Sequence, residues 1–213
     1  MKKRIRNIIL LFLFITLSAT FQNLGMKANI GVCAVWDCLS MNVYELTGLK
    51  VGTFGMIMNL SLVGLQIMIL RKDFPPIRLL QIPISFVFGF VTNIVYYHIF
   101  SMFEIHSYPL RLLCCILSYV GLAFWTAGNT YLNIAQTPTE GTCYVLNKKY
   151  GFNFSVLRFL PDFICISLSL ILSLVFGLSF KVREGTILGL FILGPMMGYF
   201  MEHFWKSRLD PGL

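Results

Sequence analysis

The chain has 213 residues, 57% of them hydrophobic and only 12% charged. Its mean hydropathy of +0.76 excludes a water-soluble domain, which carries about a quarter of its residues charged. The net charge of +8 does not mark a nucleic-acid binder either, because the basic residues stand at the ends of apolar runs and form no stripe with aromatics.

Six stretches are apolar enough, and long enough as helices, to cross about 30 Å of hydrocarbon. They are residues 7–26, 51–70, 79–102, 110–132, 155–178 and 185–204. The opening MKKRIRN followed by IILLFLFITLSA also has the form of a signal peptide, but Ser18-Ala19-Thr20 is not a clean cleavage pattern. A span is the preferred reading.

Two connections are unlike plain loops. Residues 28–49, ANIGVCAVWDCLSMNVYELTGL, and residues 134–150, IAQTPTEGTCYVLNKKY, mix apolar residues with isolated acids. Each is too short or too polar to cross, so each is expected to be re-entrant or interfacial.

With the N-terminus inside, twelve Lys and Arg fall on the inner side, and five, Lys27, Lys50, Arg111, Lys181 and Arg183, on the outer side. Cytoplasmic loops favour Lys and Arg, so this asymmetry predicts that both termini are cytoplasmic.

A shift of 103 residues places Asp37 on Glu140, Gly48 on Gly151 and Asn59 on Asp162. Span, acidic connection, glycine, span and span recur in the same order. Three spans per unit force the second copy to enter the membrane the other way up. The predicted fold is therefore an all-α membrane protein, one domain over 1–213, built as two inverted three-helix repeats of about 1–104 and 110–205. Inverted repeats are common in secondary transporters, whose sites lie where the repeats meet. A stable six-helix bundle made by duplication is the structural alternative.

Polar groups inside spans are costly and need a partner or a cavity. Asp37, Asn59, Gln66, Gln81, Asn93, Glu140 and Asp162 are the candidate substrate-binding residues. Asn59 and Gln66 are seven apart and share a helix face. Asp162 follows Pro161 in an otherwise acid-free span, where it either binds a cation, proton or amine, or pairs with Arg158 one turn earlier. Gly48, Gly52, Gly185, Gly189, Gly194 and Gly198 have the spacing of close helix packing.

Cys114, Cys115, Cys143 and Cys165 read as buried or reduced thiols, and Cys33 and Cys38 are close enough in sequence for a pair or for two thiols. No P-loop, GxSxG elbow, HExxH, CxxC or dinucleotide fingerprint occurs. No enzyme activity, cofactor or metal is expected.

The strings VWDCLSMNVYELTGLKVGTFGMIMN, LLQIPISFVFGFVTNI and VREGTILGLFILGPMMGYF together resemble the bacterial YczE/YyaS/YitT group of small integral membrane proteins. The likeness rests on Trp36, Asp37, Gly48 and Gly52, on Gln81, Pro83 and Gly89, and on Gly185 and Thr186. Asn93 departs from the acid expected after the Gln-x-Pro helix. The resemblance implies a bacterial inner-membrane protein associated with transport, export or synthesis.

The leading expectation is a small-molecule secondary transporter or membrane substrate-binding protein. The alternatives are a non-transporting scaffold, or the substrate subunit of an energy-coupling importer. Its expected partners are the lipid bilayer, a small ligand or coupling ion, and a second copy or another membrane protein.

Overall fold

A backbone in hydrocarbon has no water to bond, so it must satisfy its own polar groups, and helices do so within one segment. The computed structural model describes residues 2–31, 35–135 and 137–209, which fold as helices with no strand among them. In chain order these are α1 (Lys2–Ala28), α2 (Val35–Thr47), α3 (Val51–Leu70), α4 (Gln81–Ile94), α5 (Tyr108–Leu132), α6 (Pro138–Tyr150), α7 (Phe154–Phe176) and α8 (Glu184–Phe200). A 3-10 turn, Pro76–Leu80, leads into α4, and π turns extend α4 over Val95–Ile99 and α8 over Met201–Trp205.

Six segments are long and apolar enough to cross a membrane: Ile5–Ala28, Val51–Asp73, Pro76–Met102, Tyr108–Leu132, Phe159–Phe176 and Glu184–Trp205. The chain is a multi-pass membrane protein. The two remaining helices, α2 and α6, have 13 residues each and reach only about 20 Å at 1.5 Å per residue, which is too short to cross. They are the two unusual connections of the sequence, and both are helical.

The helix boundaries repeat at the shift seen in the sequence. A spacing of 103 residues separates Val35 from Pro138, Thr47 from Tyr150, and Val51 from Phe154. Both short helices end on a left-handed glycine, Gly48 at φ 73° and Gly151 at φ 72°, a conformation that costs glycine nothing. Their amides close the last turn on the carbonyls of Tyr44 and Asn147, each at 2.9 Å. Thr137 starts α6 by accepting the Glu140 amide, with Pro138 at the first helical position.

Successive spans run in opposite directions. One end of the bundle, the terminal face, holds the start of α1 and the end of α8; the other is the far face. At the centre α1 and α5 lie side by side. Gly121 is bare because Phe21 fills its place: an added Cβ would come within 2.1 Å of that ring. The Ser118 hydroxyl donates to the Phe21 carbonyl at 2.8 Å. Toward the terminal face Phe14, Leu11, Ile84, Ala127 and Trp205 form a buried cluster, with the Trp205 indole donating to the Phe124 carbonyl at 2.9 Å.

Around this pair the two halves differ. In the first half α3 packs tightly on α4, while in the second α7 packs on α2 and α6, α8 packs on α5, and among the described residues α7 and α8 are not a closely packed pair. Most of the surface of α7 and α8 is exposed and apolar, with Phe159, Phe163, Leu174, Ile187 and Phe191 standing out from it. Lipid is the natural neighbour of these faces.

Candidate functional site

At the far face, residues from both halves line an open cavity of about 350 Å³. Met26 from α1 and Met41 from α2 are almost fully buried and close it from below, while Tyr44 and Tyr96 supply aromatic wall. The charged groups come from five separated segments: Lys27, Glu45, Glu104, Arg111 and Lys181. Such a cavity, with an apolar floor and a few convergent polar groups, is built like a small-molecule site.

The polar groups are held in place. Lys181, only 7% exposed, forms an ion pair with Glu45 and donates to the Ser179 hydroxyl at 2.6 Å. This ties the α7–α8 connection to α2. Arg111 donates through Nε to the Ile105 carbonyl at 2.8 Å, and Glu104 meets His106 at 3.5 Å.

One helical turn before the two methionines lies a buried polar pair. Gln22, four residues before Met26 on α1, donates from its amide to the Asp37 carboxyl, four residues before Met41 on α2, at 2.5 Å. Burial pushes the Asp37 carboxyl up to about 7, and the Gln22 hydrogen bond only partly opposes this. This buried pair sits one helical turn deeper than the methionine floor of the pocket.

A second polar cluster lies at the terminal face. Gln66 on α3 and Gln81 before the α4 core are both fully buried. The Gln66 amide donates to the Gln81 carbonyl oxygen at 3.0 Å, to the Pro138 carbonyl at 3.1 Å and to the Thr142 hydroxyl at 3.2 Å. Arg78 donates to the Gln66 oxygen at 3.2 Å and to the Gly141 carbonyl at 3.3 Å. Gly141 makes room for this cluster, since a Cβ there would lie 2.7 Å from the Gln81 amide nitrogen. The cluster fastens α6 to α3 and α4. In the other half Asn42 of α2 does the same to α7, donating to the Ser169 carbonyl at 2.7 Å and to the Ser173 hydroxyl at 3.2 Å.

The residues singled out in the sequence do not converge on one point. Gln66 and Gln81 meet at the terminal face. Asn93 instead joins α4 to α3, accepting the Gly52 amide at 2.9 Å and donating to the Thr53 hydroxyl at 2.9 Å. Asp37 lies beneath the far-face cavity. Glu140 borders a smaller cavity of about 80 Å³ at the terminal face, with Asn129, Asn133 and Thr137. Asn59 and Asp162 are half-buried in α3 and α7, away from both cavities. The side chain of Arg158 and the Cys33–Cys38 question lie outside the described residues.

Among the glycines, Gly52 and Gly185 approach neighbouring backbone closely, the latter leaving 2.8 Å from a would-be Cβ to the Ile30 carbonyl oxygen. Gly189 is buried. Gly48 does not pack a helix; it ends α2 with open space around it. Gly194 and Gly198 also have nothing within 4 Å where a Cβ would stand.

The cavity residues Lys27, Tyr44, Glu45, Tyr96, Glu104, Arg111 and Lys181, and the Asp37 partner Gln22, were not among the sequence candidates. One signal pointed to some of them. Three of the five cations on the Lys- and Arg-poor side, Lys27, Arg111 and Lys181, line the cavity.

No curated protein and no solved structure matches the chain. Residues 5–202 match the model of a family of unknown function, DUF6198. The match takes in five spans, both short helices and all but the last three residues of the sixth span, and the chain belongs to that family.

Proposed function

We propose that this DUF6198 member binds a small polar solute in the far-face cavity and moves it across a bacterial inner membrane as a secondary transporter, with both termini in the cytoplasm. The observation that carries the reading is the pocket itself, assembled from both halves above a buried carboxyl whose affinity for a proton is raised by burial. Proton exchange beneath a solute site is the arrangement that ion coupling needs.

The small terminal-face cavity supports the same reading. Asn129 and Thr130 in its lining stand 103 residues after Met26 and Lys27 in the far-face lining. Two mouths at matching positions, one roomy and one narrow, are what inverted repeats present when one side is open. The resemblance of the strings quoted above to the YczE/YyaS/YitT group favours the bacterial inner membrane.

The test is uptake of a labelled panel of amino acids, organic acids and amines into proteoliposomes. Met41→Trp, which fills the cavity, and Asp37→Asn, which removes the titrating group, should each abolish uptake while leaving a folded, monodisperse protein. Absence of flux for every compound, together with no ligand-induced rise in Tm, overturns the proposal.

A second reading has its own observation. Gly194 and Gly198 present bare backbone on the exposed face of α8, a surface suited to close approach of another helix. A scaffold role predicts that Gly194→Leu releases a stoichiometric membrane partner and that the Asp37 variant is silent.

A further inference from the structure

We infer that the far-face cavity takes an amphipathic anion, its carboxylate or phosphate head held between Lys27 and Arg111 and its apolar body against Met26, Met41 and Tyr96; this rests on the solute-binding reading above. Five cations lie on the side that is poor in Lys and Arg, and three have partners in the chain. Lys181 pairs with Glu45, Arg183 pairs with Glu184 at 3.0 Å, and Lys50 lies over the Tyr97 ring at 5.6 Å. Lys27 and Arg111 have neither a carboxylate nor a ring partner among the described residues.

Both are half-buried and both line the cavity. A partly desolvated cation without a counter-charge is unfavourable, and an anion entering beside it removes that cost. Arg111 is also set for the task. Its Nε is anchored on the Ile105 carbonyl, which fixes the plane of the guanidinium and leaves its two terminal nitrogens without a protein acceptor among the described residues. A planar fork held in this way matches a carboxylate or phosphate. The nearby carboxylates do not serve as internal substitutes, because Glu45 is engaged by Lys181 and Glu104, beside His106 and largely exposed, makes no ion pair with Lys27 or Arg111 among the described residues.

The anion has two available sources, a dissolved organic acid or the phosphate of a lipid headgroup. The test uses the full chain in phosphatidylcholine nanodiscs, titrated with hexanoate, hexyl phosphate and hexylamine, with calorimetry and thermal unfolding as readouts. Hexanoate or hexyl phosphate should bind saturably and hexylamine should not. Lys27→Met and Arg111→Met should each weaken the anion by roughly tenfold or more, as expected for loss of a charge-assisted contact. Lys27→Arg, which keeps the charge, should retain most of the binding and so controls for misfolding, whereas Arg111→Lys, which keeps the charge but loses the fork and its Ile105 anchor, should bind more weakly than wild type and better than Arg111→Met.

Repeating the titration in phosphatidylglycerol nanodiscs separates the sources. Competition by that lipid assigns the site to a headgroup, unchanged affinity assigns it to a dissolved acid, and both results support the anion site. Binding of hexylamine in place of the anions, or anion binding unchanged in the Lys27→Met/Arg111→Met double variant, overturns the anion site while leaving a solute cavity in place. If no probe binds the wild-type protein and the uptake panel is also silent, the solute-binding reading falls as well.

Discussion

Gly52 on α3 and Gly89 on α4 face each other backbone to backbone: a Cβ added to Gly52 would stand 2.2 Å from the Gly89 carbonyl oxygen, and one on Gly89 would stand 2.6 Å from that of Gly52. Since backbone cannot give way as a flexible side chain can, even one methyl at either position must push the helices apart. Gly52→Ala and Gly89→Ala should each destabilise the protein by about 1–3 kcal/mol, the usual cost of overpacking. Thermal unfolding in a mild detergent is the measurement. Gly194→Ala and Gly198→Ala, which meet open space, should leave the Tm of the monomer unchanged.

The Gln66–Gln81–Arg78 cluster gives a second expectation. Gln66→Leu removes the acceptor of Arg78 and the donor to Gln81, leaving buried polar groups unmatched at a cost of about 1–3 kcal/mol. A Gln66→Leu/Gln81→Leu double variant should be less unstable than the sum of the single variants. Strict additivity would show that the two amides do not depend on each other.

Asp37 makes stability depend on pH. Its folded value is raised from 3.8 to about 7, so across that window the native protein keeps a proton that the unfolded chain has released. Stability must then fall as pH rises from about 4 to about 7, and level off above it. The wild-type Tm should be several degrees higher at pH 5 than at pH 8, and Asp37→Asn should flatten that slope. A wild-type slope that survives the substitution would assign the effect to another group.

The Glu45–Lys181 ion pair predicts an asymmetric response. Glu45→Gln leaves a buried ammonium without its counter-charge and should cost about 1–3 kcal/mol, less than the roughly 3–5 kcal/mol of a fully buried pair because Glu45 is partly exposed. Adding Lys181→Met should recover most of the loss. Chemical or thermal unfolding of the two variants side by side is the check.

Much of the architecture is legible in the residues. Six charge-poor runs predict the six spans, and the 103-residue shift that aligns Gly48 with Gly151 coincides with the starts and ends of α2 and α6. Hydropathy and glycine position are local properties, so a linear reading reaches them. The cavity is different. Lys27, Glu45, Glu104, Arg111 and Lys181 are scattered along the chain, and only the packing of α1, α2, α4 and α5 brings them together.

The candidate polar residues scatter for a related reason. Asn59 and Gln66 share a helix face, yet only Gln66 reaches α6, because the short helix crosses α3 near its end. Asn93 acts as a cap, a role that its place within an apolar run does not reveal. The small-residue spacing of α8 marks a flat surface but not whether this chain covers it. Gly185 and Gly189 are buried, and Gly194 and Gly198 are open.

The absence of a packed seam between α7 and α8 has a mechanical consequence. Where the first half is clamped by touching glycines, in the second half α7 and α8 turn exposed apolar side chains outward, so less of their hold on the bundle comes from helix-to-helix packing. At the far-face end, α8 is tethered by the Gly185 amide on the Ile30 carbonyl, at 2.8 Å, and through the Glu45–Lys181 tie. Separating α8 from the rest of the far face therefore means breaking both ties, and the second of them holds Lys181 at the cavity rim.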